Sequence, residues 1–240
     1  KVETLIAKST SLMITISETE TKKYKSRWPK SNIHLFPISW HDEKIIKKDG
    51  FLTNSKINLI HIGRVDGFLG YQSLKYIFEK VFPLLPDTYL NKINFNIVGL
   101  DNNSVKSTEI KTLAMKYKNV QILGFVDDIK PFYSSSDLHL VASKYATGAR
   151  TRIIESLVYG VPVLSTPESA DGLVGLSNED NILIAQSDKE FSSAIKSVID
   201  NPKILEDIRI NGRRTYEKYY SQKVNSRALK ELLNKHIHYT

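Results

Sequence analysis

Two arginines and a glutamate fall within six residues of the stretch "GARTRIIESLVYGVPVLSTP" (148–167), at spacings suited to handling phosphate and sugar. Arg150 and Arg152 stand at the start of an apolar helical run, and each guanidinium can grip a phosphate through two parallel hydrogen bonds. A helix amino end adds unpaired backbone N–H groups and the positive end of the helix dipole, so Gly148 to Arg150 would lie where an anion is favoured. Glu155, one to two turns further in, could accept hydrogen bonds from two neighbouring hydroxyls, as a ribose presents. Phosphate at the helix start and sugar hydroxyls deeper in together describe a nucleotide site. The same residues also allow a helix-surface ion pair, because Arg152 lies three residues before Glu155, and such pairs contribute only tenths of a kcal/mol.

A second segment, "HIGRVDGFLG" (61–70), places Gly63 and Arg64 after an apolar run and makes the loop pliable with Gly67 and Gly70. It resembles a phosphate loop, but it matches neither the dinucleotide fingerprint G-x-G-x-x-G nor a loop ending in G-K-[ST].

These residues need a frame to bring them together. From Asn58 onward, short β-branched runs alternate with helical ones, the pattern of a parallel sheet covered by helices. Six strands are predicted at 58–63, 93–99, 120–125, 137–143, 161–166 and 181–185. Between the first two, Tyr71, Leu74, Ile77, Phe78, Val81 and Phe82 form one helical stripe. Further helices are predicted at 105–117, 128–135, 150–159, 188–199, 202–219 and 222–237. The fold class is therefore α/β, a Rossmann-like doubly wound parallel sheet. Right-handed crossovers suggest the strand order 3-2-1-4-5-6, with ligands outside the carboxyl ends of the strands near Arg64 and near 144–150. The first 57 residues read as helix, strand, helix, strand and a polar connection. They are expected to be the tail of a preceding amino-terminal domain (1–40) and a linker (41–57), ahead of the sheet domain (58–220) and a terminal helix (221–240).

Composition narrows the classes further. The chain of 240 residues is 41% hydrophobic and 25% charged, with no apolar run of membrane-span length. With no cysteine, disulfides, thiolate metal sites and thiol nucleophiles are excluded, which fits a reducing, cytoplasmic setting. A net charge of +8 favours anionic partners. Its excess lies at 21–30 and along the last helices, where a solvated lysine-rich surface is the ordinary reading. No recognisable nucleic-acid module accompanies it, so no nucleic-acid partner is expected.

Taken in order, "HIGRVDGFLGYQSLKYIFEKVFPLL", "FNIVG", "NVQILGFVDDIKPFYSSSDLHLVAS", "TGARTRIIESLVYGVPVLSTPESADGL" and "NGRRTYEKYYS" resemble the carboxyl-terminal domain of family 4 (group 1) glycosyltransferases of the GT-B fold. The resemblance is closest to the branch with a G-x-R-x-K-x-x-E-A motif and covers roughly residues 58–222. It implies a sugar transferase that takes a nucleoside-diphosphate sugar as donor, retains anomeric configuration and uses no cofactor and no metal. A glycan, lipid-linked or protein acceptor and a role in polysaccharide biosynthesis follow from the same resemblance. So do nucleotide-sugar binding by 58–220, a crossover role for the terminal helix (221–240), and an amino-terminal partner domain carrying the acceptor site, with peripheral contact at the inner face of a membrane.

The resemblance further implies roles residue by residue. Glu155 matches the ribose-binding second glutamate of the family's E-x7-E element. Arg64 matches the arginine that contacts the diphosphate, with Gly63 before it. Gly148, beside Ala149, matches the glycine against the phosphates, while Arg150 and Arg152 match the basic motif positions. Phe125 and Val126 belong to the loop lining the base, and Ala170 and Gly172 to the loop below the donor sugar. Arg64, Arg150 and Arg152 would then offset charge on the departing diphosphate, acting as the catalytic groups. The sequence departs at Thr147, where relatives often carry the first glutamate, at Leu69, where a lysine is usual, and at Ser156, usually alanine. The first two departures keep a rival open, a non-catalytic binding or assembly module of the same fold. A nucleotide-sugar epimerase is a third reading, but this half offers no flanking carboxylate pair.

Elsewhere the ordinary readings prevail. His61 and His139 fall within strands and are expected to be hydrogen-bonded sheet histidines. Asp127 and Asp128 read as a turn and helix cap, not a metal site.

Overall fold

The computed structural model describes residues 2–45, 56–100, 104–145 and 148–236. Six parallel strands form the main sheet: β3 (Ile57–Ile62), β4 (Ile93–Val98), β5 (Val120–Leu123), β6 (Leu138–Val141), β7 (Val163–Ser165) and β8 (Leu183–Ile184). Their order is β5-β4-β3-β6-β7-β8. Numbered from β3 as first strand, this is the expected 3-2-1-4-5-6. Ile57 faces Ile93 in the β3–β4 pair, and Ile60 faces His139 in the β3–β6 pair. The central strands are mostly apolar because helices cover both faces, and all four residues of β6 are buried.

One core layer joins Leu59, Phe95, Ile97, Leu138 and Leu140 of the sheet to Leu74, Phe78 and Phe82 and to Phe191 and Ile195. These last residues come from α3 (Phe68–Tyr76) with its continuation and from α9 (Asp188–Asp200). The predicted helical stripe after β3 is thus buried, but the helix does not stay α-helical. It widens into a π turn at Ile77–Val81 and then a 3-10 turn at Phe82–Leu84. Pro83 supplies the reason, since it has no N–H to continue the regular ladder. A short α4 (Asp87–Leu90) follows, and α5 (Val105–Ala114) begins at Ser104, whose side chain accepts the Ser107 N–H.

The opposite face carries α6 (Lys130–Ser135), α7 (Thr151–Tyr159) and α10 (Ile204–Tyr219). Ile153, Ile154, Leu157 and Val158 of α7 are fully buried, as the apolar stripe predicts. Gly160 closes α7 in the left-handed conformation (φ 69°), the usual helix stop that a side chain disfavours. Past β7, the four-residue α8 (Pro167–Ala170) is capped by Thr166.

The first elements stand apart from this sheet: α1 (Val2–Ser9), β1 (Met13–Thr15), α2 (Glu18–Arg27) and β2 (Ile33–Leu35) match the predicted helix, strand, helix, strand. β1 and β2 pair in parallel over a small cluster of Ala7, Trp28 and Ile33. The chain then returns to the main body. Trp40 N–H donates to the Tyr220 carbonyl (2.8 Å), just before α11 (Gln222–His236). Residues 46–55 of the expected linker and the last four residues of the expected crossover helix lie outside the described residues.

Candidate functional site

β3 and β6 are neighbours in the sheet, yet the crossovers leave them in opposite directions, so a crevice opens at their carboxyl ends. Two glycines shape its floor. Gly99 (φ 97°), after β4, approaches so closely that a side chain there would come 2.6 Å from the Gly63 carbonyl oxygen. Gly63 (φ 142°), after β3, would place a Cβ 2.6 Å from Nη2 of Arg152. The Arg152 guanidinium therefore lies against bare Gly63 backbone, and only glycine leaves it room.

Arg152 reaches this position from the first turn of α7, and it does not pair with Glu155 across the helix surface. Its Nη1 donates to His61 Nε2 at 3.4 Å. Glu155 instead accepts the Tyr133 hydroxyl of α6 at 3.3 Å. Burial raises the Glu155 carboxyl above the usual carboxylate range, while the Tyr133 hydroxyl, His41 and Arg152 pull it back. Burial also lowers the Arg152 guanidinium from its ordinary value. A cation and a carboxylate thus sit half-sheltered on one helix end, each held by a neutral side chain from another element. Such a pair is poised for polar groups of a ligand more than for each other.

The histidines complete the layer. His139 Nε2 accepts the Ile62 N–H (3.3 Å), and its Nδ1 lies 2.5 Å from Ser156 Oγ. Both rings are hydrogen-bonded sheet histidines, as expected. Burial first, then nearby positive charge, pushes His61 down to about 3 and His139 well below its usual range, so both are neutral. Their partners were not legible in the sequence, because Arg152 is 91 positions from His61. The one available signal was Ser156, a hydroxyl on an otherwise buried helix stripe.

The other predicted residues surround this centre unevenly. Arg64 is exposed at the crevice mouth and ion-pairs with Asp66 at 2.7 Å. Arg150 is buried and turns back to donate to the Tyr145 carbonyl, bracing the loop between β6 and α7. Gly148 takes a left-handed conformation (φ 70°) in that loop, with open space where a side chain would stand. Ala149 packs with the α7 side of the core. Val126 packs near Tyr133, whereas Phe125 is 64% exposed at the end of β5, leaving its ring available to a flat partner. Ala170 is buried, and Gly172 (φ 74°) has its carbonyl bound to the Glu18 N–H, against Ser17 at the head of α2. Thr147 lies outside the described residues. Asp128 accepts the Lys130 N–H at 2.9 Å, the turn expected of it, whereas the helix cap falls on Ile129. Among the described residues, no cluster of three metal-ligating side chains is present and no helix is long and apolar enough to cross a membrane.

The comparisons with known proteins agree with this architecture. The family "Glycosyl transferases group 1" matches residues 56–201. An uncharacterized glycosyltransferase of Methanosarcina mazei is 30% identical over 149 residues, 62% of this chain and 34% of the relative. One of Methanosarcina acetivorans is 35% identical over 109 residues, 45% of this chain and 25% of the relative. The chain thus matches about a third or less of these relatives' length. Among solved structures, Anabaena HepE in complex with UDP superposes with a TM-score of 0.78 at 15% identity, over 97% of this chain and 66% of that one. Sucrose-phosphate synthase from Thermosynechococcus elongatus gives 0.74 at 17% identity, over 98% and 60%. At these identities the likeness shows a shared GT-B-type fold. With the family matched over more than half its residues, the chain belongs to the group 1 glycosyltransferases.

Proposed function

We propose that the crevice between β3 and β6 binds a nucleoside-diphosphate sugar, and that the protein transfers the sugar with retention to a glycan, lipid-linked or protein acceptor. The observation that carries this reading is the convergence of Gly63, Arg152 and Glu155 at the sheet's switch point, from segments about 90 residues apart. Arg152 and the amino end of α7 would take the diphosphate, Arg64 would join after releasing Asp66, and Glu155 would take the ribose hydroxyls. Arg150 would act indirectly by holding the loop that carries Gly148.

Catalysis on this reading is leaving-group stabilisation. Charge develops on the departing diphosphate, and fixed guanidinium and N–H groups in a sheltered crevice meet it without reorganising. No cofactor is invoked, because cationic side chains supply the countercharge. HepE, whose fold this chain shares, is solved in complex with UDP and with UDP-glucose, which supports a nucleotide ligand here. The acceptor and the group acting on its hydroxyl would belong to an amino-terminal domain, of which residues 1–40 are the tail; cytoplasmic placement at a membrane's inner face fits the same scheme.

Calorimetry with uridine, guanosine and adenosine diphosphates tests the reading directly. One of them should bind, and Glu155→Gln should weaken it about tenfold, roughly 1.4 kcal/mol. A chain that binds none of the three would be a scaffold and not a donor site.

A further inference from the structure

We propose that His61 is a positioning residue for Arg152: its imidazole fixes the guanidinium against the Gly63 backbone, where a diphosphate would meet it. The inference rests on the nucleotide reading of the same crevice and adds to it a residue that touches no ligand.

Hydrogen-bond roles determine the ring's state. The Leu140 carbonyl, 3.2 Å from Nδ1, can only accept, so Nδ1 carries the proton. Nε2 is left bare, and the only role open to Arg152 Nη1 is to donate to it. The ring cannot turn away, because it is fully buried and packs edge-on to His139 at 6.2 Å between centroids. The arginine is held at its other end as well. Ser156 Oγ donates to the Arg152 carbonyl at 3.0 Å and accepts a hydrogen bond from His139 Nδ1–H. A long side chain that would otherwise sample many rotamers is thus fixed before any ligand arrives, which removes an ordering cost from binding. Neutrality is essential to this role. A protonated imidazole would point an N–H at the guanidinium, and burial opposes that state.

The test uses whichever nucleoside diphosphate the wild-type chain binds, against the matching nucleoside. His61→Leu should weaken the diphosphate about tenfold and leave the nucleoside unchanged, because the ribose contacts do not pass through Arg152. Arg152→Leu should show a similar loss, and the double variant should be no weaker than Arg152→Leu alone. His61→Gln, whose amide oxygen can take the Arg152 N–H, should recover part of the affinity. Diphosphate binding by His61→Leu within twofold of wild type, or losses that simply add, would overturn the proposal. Should the wild type bind no diphosphate, the functional reading fails, and imidazole nitrogen-15 spectra decide the positioning separately. They should show His61 protonated at Nδ1, with an Nε2 signal that moves in Arg152→Leu; a ring protonated at Nε2, or indifferent to Arg152, would sink it.

Discussion

Gly63 and Arg152 lie against one another, and each constrains the other. Any side chain at 63 meets the guanidinium and must also adopt a positive φ that L-residues avoid. Gly63→Ala should therefore cost about 1–2 kcal/mol of stability from backbone strain. It should also weaken nucleoside-diphosphate binding about tenfold by displacing Arg152, roughly 1.4 kcal/mol. Chemical denaturation and calorimetry on the same sample separate the two effects, and a stability loss with intact affinity would show that Arg152 does not bind phosphate. Arg64 offers a contrast at this scale. Its side chain is 73% exposed and paired with Asp66, so Asp66→Asn should break that ion pair and leave stability in urea within about 0.5 kcal/mol.

At the level of elements, α7 is where the chemistry and the core meet. Its inner stripe docks on β6 and β7, its first two turns present Arg152 and Glu155, and its buried Ser156 bonds His139 of β6 while Arg152 bonds His61 of β3. That buried layer makes stability sensitive to pH. Unfolded histidines bind a proton near 6.5, whereas His61 in the folded chain does so only near 3, and His139 far below 6.5. The unfolded state therefore holds more protons, so the stability is complete above about pH 6.5 and falls as pH drops below it. With both rings neutral the slope is about 2 kcal/mol per pH unit in the window between pH 6 and 5, before most carboxylates titrate. Urea midpoints across that window measure it. In His61→Gln the slope should halve, and an unchanged slope would mean that His61 titrates normally in the folded chain.

Across the whole molecule, tyrosines at the end of α10 join the opening segment to the sheet domain. The Tyr216 hydroxyl lies within reach of the His41 carbonyl (2.9 Å) and the Asp42 carboxylate (2.6 Å). The Tyr220 hydroxyl donates to the Val174 carbonyl at 2.8 Å and lies 2.5 Å from its N–H, bracing the loop that contains Gly172. Tyr220→Phe would leave that buried N–H and carbonyl with no partner there and should cost about 1–3 kcal/mol, measured by thermal unfolding. Catalysis also belongs to this scale. If the acceptor site lies in an amino-terminal domain, the 240-residue chain should bind its nucleotide yet transfer no sugar, and turnover by the chain alone would overturn that division.

Much of the frame was legible in the sequence. Period-two and helical patterning is local, so it announced six strands, their alternation with helices and the end of α7 at Gly160. Handedness then restricted their order to the one observed. The loops at the switch point followed from that order, as did the interest of Gly63, Arg152 and Glu155. The sequence by itself could not choose partners. Arg152 and Glu155 stand at ion-pair spacing, yet one bonds His61 and the other Tyr133, because the sheet brings β3 and α6 within closer reach than the helix surface does. Likewise, Arg64 and Arg150 read as equivalent phosphate ligands, but one lies exposed beside Asp66 and the other buried beneath its own loop. Patterning is set by neighbours along the chain; protonation, rotamer and partner are set by neighbours in space, and those exist only once the strands have paired.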